Sequence, residues 1–369
     1  MKKQKPRVLL LYGGKGCESS VSERGAVYLR SLIDRDKFEL IPVFIDRRGE
    51  WFVREPEDFS NNTSHPLATP AGAELLTEGV GAHKNEESVS PATVGGAGGI
   101  VTKDGFLKID CAFPLLHGDF GEDGIIQGAL AAANIPYVGA DTYLGPLAMD
   151  KAYTKIIAES LGIRCARSVL GIRGSSEHSR EKAKLLAEEK LGYPMFIKPA
   201  RLGSSVGARC VVGAEDFFAA YDSADSLSDG RVLIEELVDI ALEAECAVFR
   251  VKNKEIITDI GGISCTSGFY DYGKKYSGER GALVSDTVKV DSRVQSTIRE
   301  YAKKLSDALG IRHLSRIDFF VTRDGEVLFN EINTMPGFTE GSLYPKLLKK
   351  AGIDPAEAVT EMLEDAMGI

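Results

Sequence analysis

Short, nearly unbroken apolar runs at Val8–Tyr12, Leu40–Ile45 and Ala112–Leu116 alternate with helical stretches at Ser22–Ile33 and Gly124–Ala133. Runs of this length predict strands, and their alternation with helical stretches leads to the expectation of parallel βαβ units. Between residues 55 and 108 the pattern weakens around Asn61-Asn62-Thr63-Ser64 and Gly95-Gly96-Ala97-Gly98-Gly99, and it reads as a loop-rich excursion. A second unit begins near Leu144, with helices at Lys151–Leu161 and Ser179–Leu191, the strand Met195–Lys198 and a glycine-rich turn. A third begins near Ala241 and holds the strand Ala244–Val251, a polar segment at Ser264–Arg280, a helix at Asp291–Leu309 and a final hairpin. The expected units are therefore 1–143, 144–240 and 241–369.

The final hairpin carries the sharpest chemistry. Two β-prone runs, Arg316–Thr322 and Glu326–Asn333, are joined around Asp324-Gly325. A two-residue turn pairs Arg323 with Glu326, and counting back sets Asp318 opposite Glu331 and Arg316 opposite Asn333, all on one face. Carboxylates facing each other repel unless a cation or proton sits between them. Asp318, Glu331 and Asn333 offer hard oxygen atoms, which fits magnesium with its remaining sites filled by water and phosphate. A solvated polar face with Arg316 as counterion is the plainer alternative. The following turn, Thr334–Thr339, places the Gly337 N–H beside Arg316, as a pair of anion-stabilising donors or as an ordinary turn.

Phe196-Ile197-Lys198-Pro199, followed by Gly203-Ser204-Ser205 and Gly207, is a strand, glycine-serine loop and strand. Such a flap can cover phosphates with N–H and hydroxyl donors while Lys198 supplies charge, or it is a simple hairpin. No P-loop motif occurs, and Gly13–Ser19 lacks the third glycine of a dinucleotide loop, which disfavours an NAD oxidoreductase. His117-Gly118 through Gly124 lies where a strand gives way to a helix, so His117 serves either a site or the turn itself.

Composition narrows the function classes. With 369 residues, 43% hydrophobic and 27% charged, the chain is a globular protein large enough for several cores. A net charge of −9 argues against capture of nucleic acid or anionic membrane. The apolar run near the start is too short for a signal h-region, and no run reaches the ~18 residues that spanning needs, so a cytoplasmic protein is expected. The six cysteines have no metal spacing and read as reduced thiols.

Together these segments resemble the D-alanine:D-alanine ligase family of the ATP-grasp fold over nearly the whole chain. The resemblance is carried by Gly13-Gly14 with Glu18 and Ser22, His117-Gly118 through Gln127-Gly128, Met149-Asp150-Lys151, Lys198-Pro199 through Gly207, Tyr270-Asp271-Tyr272 with Lys275-Tyr276, and Arg316-Ile317-Asp318 with Glu331-Ile332-Asn333 through Gly337. It implies an α/β ATP-grasp protein in which an N-terminal parallel-sheet domain precedes two α+β subdomains that clasp ATP.

The implied roles are residue-specific. Glu18 would hold the ammonium of the first D-alanine, with His117 nearby. Lys151 and Lys198 would contact ATP phosphates, with Ser204 and Ser205 in the loop over them. Glu235, Glu236 and Val238 would hold adenine and Glu243 the ribose, while Lys275 and Tyr276 would lie on a closing lid. Asp318, Glu331 and Asn333 would ligate two magnesium ions, manganese being an alternative. Arg316 and the Gly337 N–H would stabilise the tetrahedral intermediate, and Ser342 with Leu343 would receive the second carboxylate. The implied reaction joins two D-alanines through an acylphosphate for peptidoglycan synthesis, with a homodimer as the family's assembly. D-serine or D-lactate as second substrate, another ATP-grasp carboxylate-amine ligase, and a non-catalytic nucleotide sensor are the alternatives. Departures from the family pattern fall at Gly16, Ala131 and Gly341.

Overall fold

The computed structural model describes residues 4–16, 18–54, 88–171, 177–203, 205–228, 230–252, 254–265 and 282–369. In chain order the first elements are β1 (Arg7–Gly13), α1 (Ser19–Leu32), β2 (Glu39–Ile45), β3 (Trp51–Val53), β4 (Ser88–Val94), β5 (Ala97–Thr102), β6 (Gly105–Lys108), β7 (Cys111–Pro114) and α2 (Ile125–Ala132). Their strands form one sheet in the order β6-β5-β4-β3-β2-β1-β7, with β1 parallel to both β2 and β7. The unbroken apolar run of β1 follows from coverage on both faces. Val8 and Leu10 share a core with Ala26 and Leu29 of α1, whereas Leu9 and Leu11 share another with Ile126 and Leu130 of α2.

Residues 88–108, expected as part of a loop-rich excursion, instead extend this sheet as an antiparallel meander. Val94 pairs with Ala97 across Gly95 and Gly96, both at positive φ, so these glycines make a two-residue hairpin turn. Residues 55–87 of the excursion lie outside the described residues.

The chain continues through α3 (Leu144–Met149) and α4 (Lys151–Ser160) to β8 (Ser168–Leu170), α5 (Glu177–Lys190), β9 (Met195–Pro199), β10 (Arg209–Val211), α6 (Phe217–Leu227) and β11 (Val232–Glu236). These strands form a second sheet, β10-β9-β11-β8. The third comprises β12 (Ile240–Val251), β13 (Lys254–Cys265), β14 (Ala282–Ser285), then α7 (Ser292–Leu309), β15 (His313–Thr322) and β16 (Val327–Asn333), followed by α8 (Leu343–Lys350) and α9 (Pro355–Met367); its order is β14-β13-β12-β15-β16.

Packing crosses the expected boundaries. Leu144, Ala148, Ala158 and Ile163 share a core with Ile317, Phe319 and Phe329 of the third sheet, although the sequence pattern grouped them with the second. Phe338, Tyr344, Val359 and Met362 share a core with Val8, Phe113 and Leu115, so α8 and α9 bind the third sheet to the first. The second sheet keeps a separate core around Ile197, Phe217, Tyr221 and Ile234.

The last hairpin reaches its expected pairing by a different path. Asp318 pairs with Glu331 and Arg316 with Asn333. The turn, however, is one residue longer than expected: Thr322 N–H donates to the Glu326 carbonyl, leaving Arg323, Asp324 and Gly325 in the loop, with Gly325 at φ +83. Phe319 pairs with Phe329, so Asn330 is an extra residue on β16. The bulge offsets the longer turn and restores the register at the carboxylates. Ile317, Phe319 and Val321 point the other way into the core.

Candidate active site

The floor of the site is the polar face of β15 and β16. The Arg316 guanidinium grips Asp318 with two bonds, Nε to Oδ1 and Nη2 to Oδ2, each 2.7 Å. It also lies 2.9 Å from Glu245 Oε2, where β12 pairs Glu245 with Asp318. Asn333 Nδ2 donates to Asp318 Oδ2 at 3.0 Å, and Glu331 Oε2 meets Lys151 Nζ at 3.0 Å. Burial pushes the Asp318 carboxyl up against the opposing pull of Arg316. Burial acts upward on Glu331 too, but Lys151 holds that carboxyl below its ordinary range.

Lys151 opens α4, whose N-cap Asp150 accepts from the Ala152 and Tyr153 N–H groups at 3.1 and 3.3 Å. Fully buried, Asp150 also pairs with Arg201 at 3.0 Å and Arg231 at 2.8 Å, fastening the glycine-serine loop to α4. Lys151 Nζ donates to the Leu202 carbonyl of that loop at 2.8 Å. One turn on, Lys155 meets Glu235 Oε1 at 2.5 Å, while Lys198 from β9 meets Glu235 Oε2 at 2.6 Å. Burial holds the Lys198 ammonium below the usual lysine range, Lys155 and Lys151 push the same way, and Glu235 opposes them. Among the described residues, these three buried lysines face only Glu235 and Glu331 across these ion pairs. The surplus positive charge suits an incoming polyphosphate.

The opposite wall comes from the first sheet. Ser22 accepts from the Gly13 N–H at 2.8 Å and donates to the Leu115 carbonyl, locking the start of α1 to the ends of β1 and β7. Glu18 is the N-cap residue of α1. Gly118, at φ +64, lies so close beneath it that an added Cβ would stand 2.8 Å from Glu18 Oε2. His117 Nδ1–H donates to the Met335 carbonyl at 2.9 Å, leaving Nε2 buried without a hydrogen-bond partner among the described residues.

Glu122 is an organising residue that no sequence pattern singled out. One oxygen accepts from the Gly118 N–H at 3.0 Å; the other accepts from the Met335 N–H at 2.9 Å and Thr334 Oγ1 at 3.2 Å. It thereby joins the histidine turn to the turn after β16. Burial pushes its carboxyl up, with His117 opposing.

Glu18, His117, Lys151, Arg316, Glu331, Asn333 and Gly337 line one cleft of about 220 Å³. The other expected residues sort differently. Lys198 and Glu235 flank this cleft through the lysine network. Glu236 accepts from the Arg167 backbone at 2.8 Å and pairs with its side chain at 2.7 Å, at the end of β11. Val238 lies in the link between β11 and β12, and Glu243 on β12. Ser205 is exposed in the glycine-serine loop. Ser342 stands at the N-cap position of α8, and its Oγ accepts from the preceding Thr339 N–H at 3.0 Å; a Cβ on Gly337 would stand 3.2 Å from that oxygen. The Leu343 side chain packs in the core, so only its backbone is left for the substrate role expected of it. Ser204, Lys275 and Tyr276 lie outside the described residues.

Among the described residues no cluster of three His, Cys, Asp or Glu side chains stands ready for a metal. The donor set on the hairpin nevertheless fits magnesium, because two carboxylates and an amide oxygen share one face and the ion takes its other oxygens from water and phosphates. Arg316 and Lys151 now occupy the carboxylates in the manner of counter-cations. No described helix is long and apolar enough to cross a membrane, and Cys111, Cys165, Cys210 and Cys246 are free thiols.

Comparison with known proteins places the chain in a family. The family described as D-ala D-ala ligase N-terminus matches residues 7–140, and the one described as D-ala D-ala ligase C-terminus matches residues 157–364. The D-alanine--D-alanine ligase A of Mesorhizobium japonicum is 37% identical, covering 99% of this chain and 98% of its own. The D-alanine--D-alanine ligase of Oceanobacillus iheyensis is 35% identical, covering 98% and 95%. Among solved structures, the VanG D-Ala:D-Ser ligase from Enterococcus faecalis superposes with a TM-score of 0.83 at 33% identity, covering 99% of both chains.

Proposed function

Since the chain belongs to the D-alanine--D-alanine ligase family, an ATP-grasp family of ATP- and divalent-metal-dependent ligases, we propose that it joins two D-alanines into D-alanyl-D-alanine for peptidoglycan synthesis, consuming ATP. The observation that carries this reading is a cleft lined by the polar face of the last hairpin, by Lys151 and, opposite, by Glu18 and His117, with the buried Lys155 and Lys198 flanking it.

In this reading the carboxylate of the first D-alanine attacks the ATP γ-phosphorus, ADP leaves, and an acylphosphate remains. The amine of the second D-alanine attacks the acyl carbon, and inorganic phosphate leaves as the peptide bond forms. Glu18 holds the first ammonium at the N-terminus of α1. Lys151 and Lys198 neutralise phosphate oxygens. Arg316 and the Gly337 N–H stabilise the oxyanion of the tetrahedral intermediate, and Ser342 with the Leu343 backbone takes the second carboxylate. Two magnesium ions, or manganese in their place, would be held by Asp318, Glu331 and Asn333 and would supply charge neutralisation of the transferring phosphoryl group. Glu235, Glu236 and Val238 border adenine, Glu243 the ribose, and Ser204, Ser205, Lys275 and Tyr276 close over the phosphates to exclude water. The units 1–143, 144–240 and 241–369 act respectively as substrate, nucleotide and metal-bearing parts, working in the cytoplasm as a homodimer.

D-serine as nucleophile is the second reading. The likeness to VanG favours it, as does Gly341, where an added Cβ would meet only Thr339 Oγ1, 3.9 Å away. ATP turnover elicited by D-alanine tests the primary reading, and competition between D-alanine and D-serine separates the two.

A further inference from the structure

Lys155 belongs to none of the motifs that pointed to the cleft, yet its side chain is only 3% exposed and its ammonium is held in place by two oxygens. Glu235 Oε1 lies 2.5 Å away and the Ala166 carbonyl 2.9 Å away. The second oxygen of Glu235 is 2.6 Å from Lys198 Nζ. Helical spacing explains the first half of this chain of contacts: Lys151 and Lys155 stand one turn apart on α4 and share a face. Strand pairing explains the second: Lys198 is opposite Leu233 on β11, so Glu235 is its diagonal neighbour on the same face of the second sheet. The result is a continuous relay from the Ala166 backbone through Lys155 and Glu235 to Lys198.

Charge gives the relay a purpose beyond fastening α4 to the second sheet. A buried carboxylate facing Lys198 alone would swing both oxygens onto it and neutralise it. Shared between two ammonium groups, Glu235 can spend only one oxygen on Lys198, which then keeps positive charge for a phosphate. We propose that Lys155 is a positioning residue for the nucleotide: it fixes Glu235, and through Glu235 it sets the aim and the residual charge of Lys198. The inference rests on the proposed ATP-dependent reaction and extends it to a residue that touches neither substrate.

The test uses the full chain, with steady-state KM for ATP and for D-alanine, kcat and thermal midpoint measured for Lys155→Met and Lys155→Arg, each alone and combined with Glu235→Gln. Lys155→Met should raise KM for ATP on the order of tenfold and leave KM for D-alanine within about twofold. Lys155→Arg should recover most of that loss. In the Glu235→Gln background Lys155→Met should add less than about twofold, because the route to Lys198 is already cut. A folded Lys155→Met protein with unchanged KM for ATP, equal rises for both substrates, or full multiplication of the two effects would overturn the proposal. Should Lys155→Met fail to fold, the double variant decides, since it leaves no buried carboxylate unpaired: KM for ATP matching Glu235→Gln alone supports the relay, and a further tenfold rise refutes it. Absence of turnover in the unmutated protein would refute the proposed reaction instead, so the two failures are distinguishable.

Discussion

Asp318 and Glu331 face each other across β15 and β16, and each is gripped by a different cation, Arg316 for the first and Lys151 for the second. Opposed carboxylates would repel without such partners, so the hairpin is built around a demand for positive charge. Glu331→Gln keeps the shape, weakens the pair with Lys151 and removes a charged oxygen from the proposed metal face. It should lower kcat on the order of 10²-fold or more. Steady-state turnover at saturating magnesium checks this; near-unmutated kcat would reduce the hairpin to a solvated face.

The expected position of Glu18 gives a second prediction. Gly118 sits at φ +64, and an added Cβ would stand 2.8 Å from Glu18 Oε2. Gly118→Ala strains the turn and displaces the carboxylate proposed to hold the first ammonium. KM for D-alanine at the first site should rise on the order of tenfold, with KM for ATP little changed. Two-substrate kinetics separate these, and an unchanged D-alanine KM would remove Glu18 from that role.

Much of this was legible in the chain itself, for reasons that differ from residue to residue. The pairing of Asp318 with Glu331 came from period-two alternation, and it survived because the longer turn at Arg323–Gly325 and the bulge at Asn330 offset each other. The meander at 88–108 was missed although Gly95-Gly96 is a hairpin signal, because glycine-rich text reads equally as loop. Lys155 and Glu235 could not be paired from sequence: their contact spans 80 positions and depends on how α4 lies against β11. Glu122 bridges 213 positions to Met335, and no local pattern encodes that distance. The cross-packing of α8 and α9 onto the first sheet is likewise tertiary.

His313 links three parts of the molecule and makes stability depend on pH. Its Nδ1 accepts from the Gly139 N–H at 2.9 Å and its Nε2 lies 3.2 Å from Asp365 Oδ2. Burial, reinforced by Arg312 and opposed by Asp365, lowers its pKa from 6.5 to about 4. The neutral form is thus favoured in the folded state. Its contribution is fully present above pH 6.5 and is lost as the pH falls toward 4. Over that window His313 should add a slope of up to ~1.4 kcal/mol per pH unit. Asparagine tolerates the same positive φ and can accept the Gly139 N–H, so His313→Asn should flatten the slope in denaturant unfolding. Parallel slopes for the two proteins would contradict the assignment.

The most direct measurement is ATP consumption by the purified protein in magnesium buffer, with D-alanine added or omitted and the products identified. ADP and inorganic phosphate should appear in step with D-alanyl-D-alanine, only when D-alanine and magnesium are both present, and L-alanine should not substitute. ATP turnover indifferent to D-alanine, equal turnover with L-alanine, or no turnover at all would contradict a D-alanine-joining ligase.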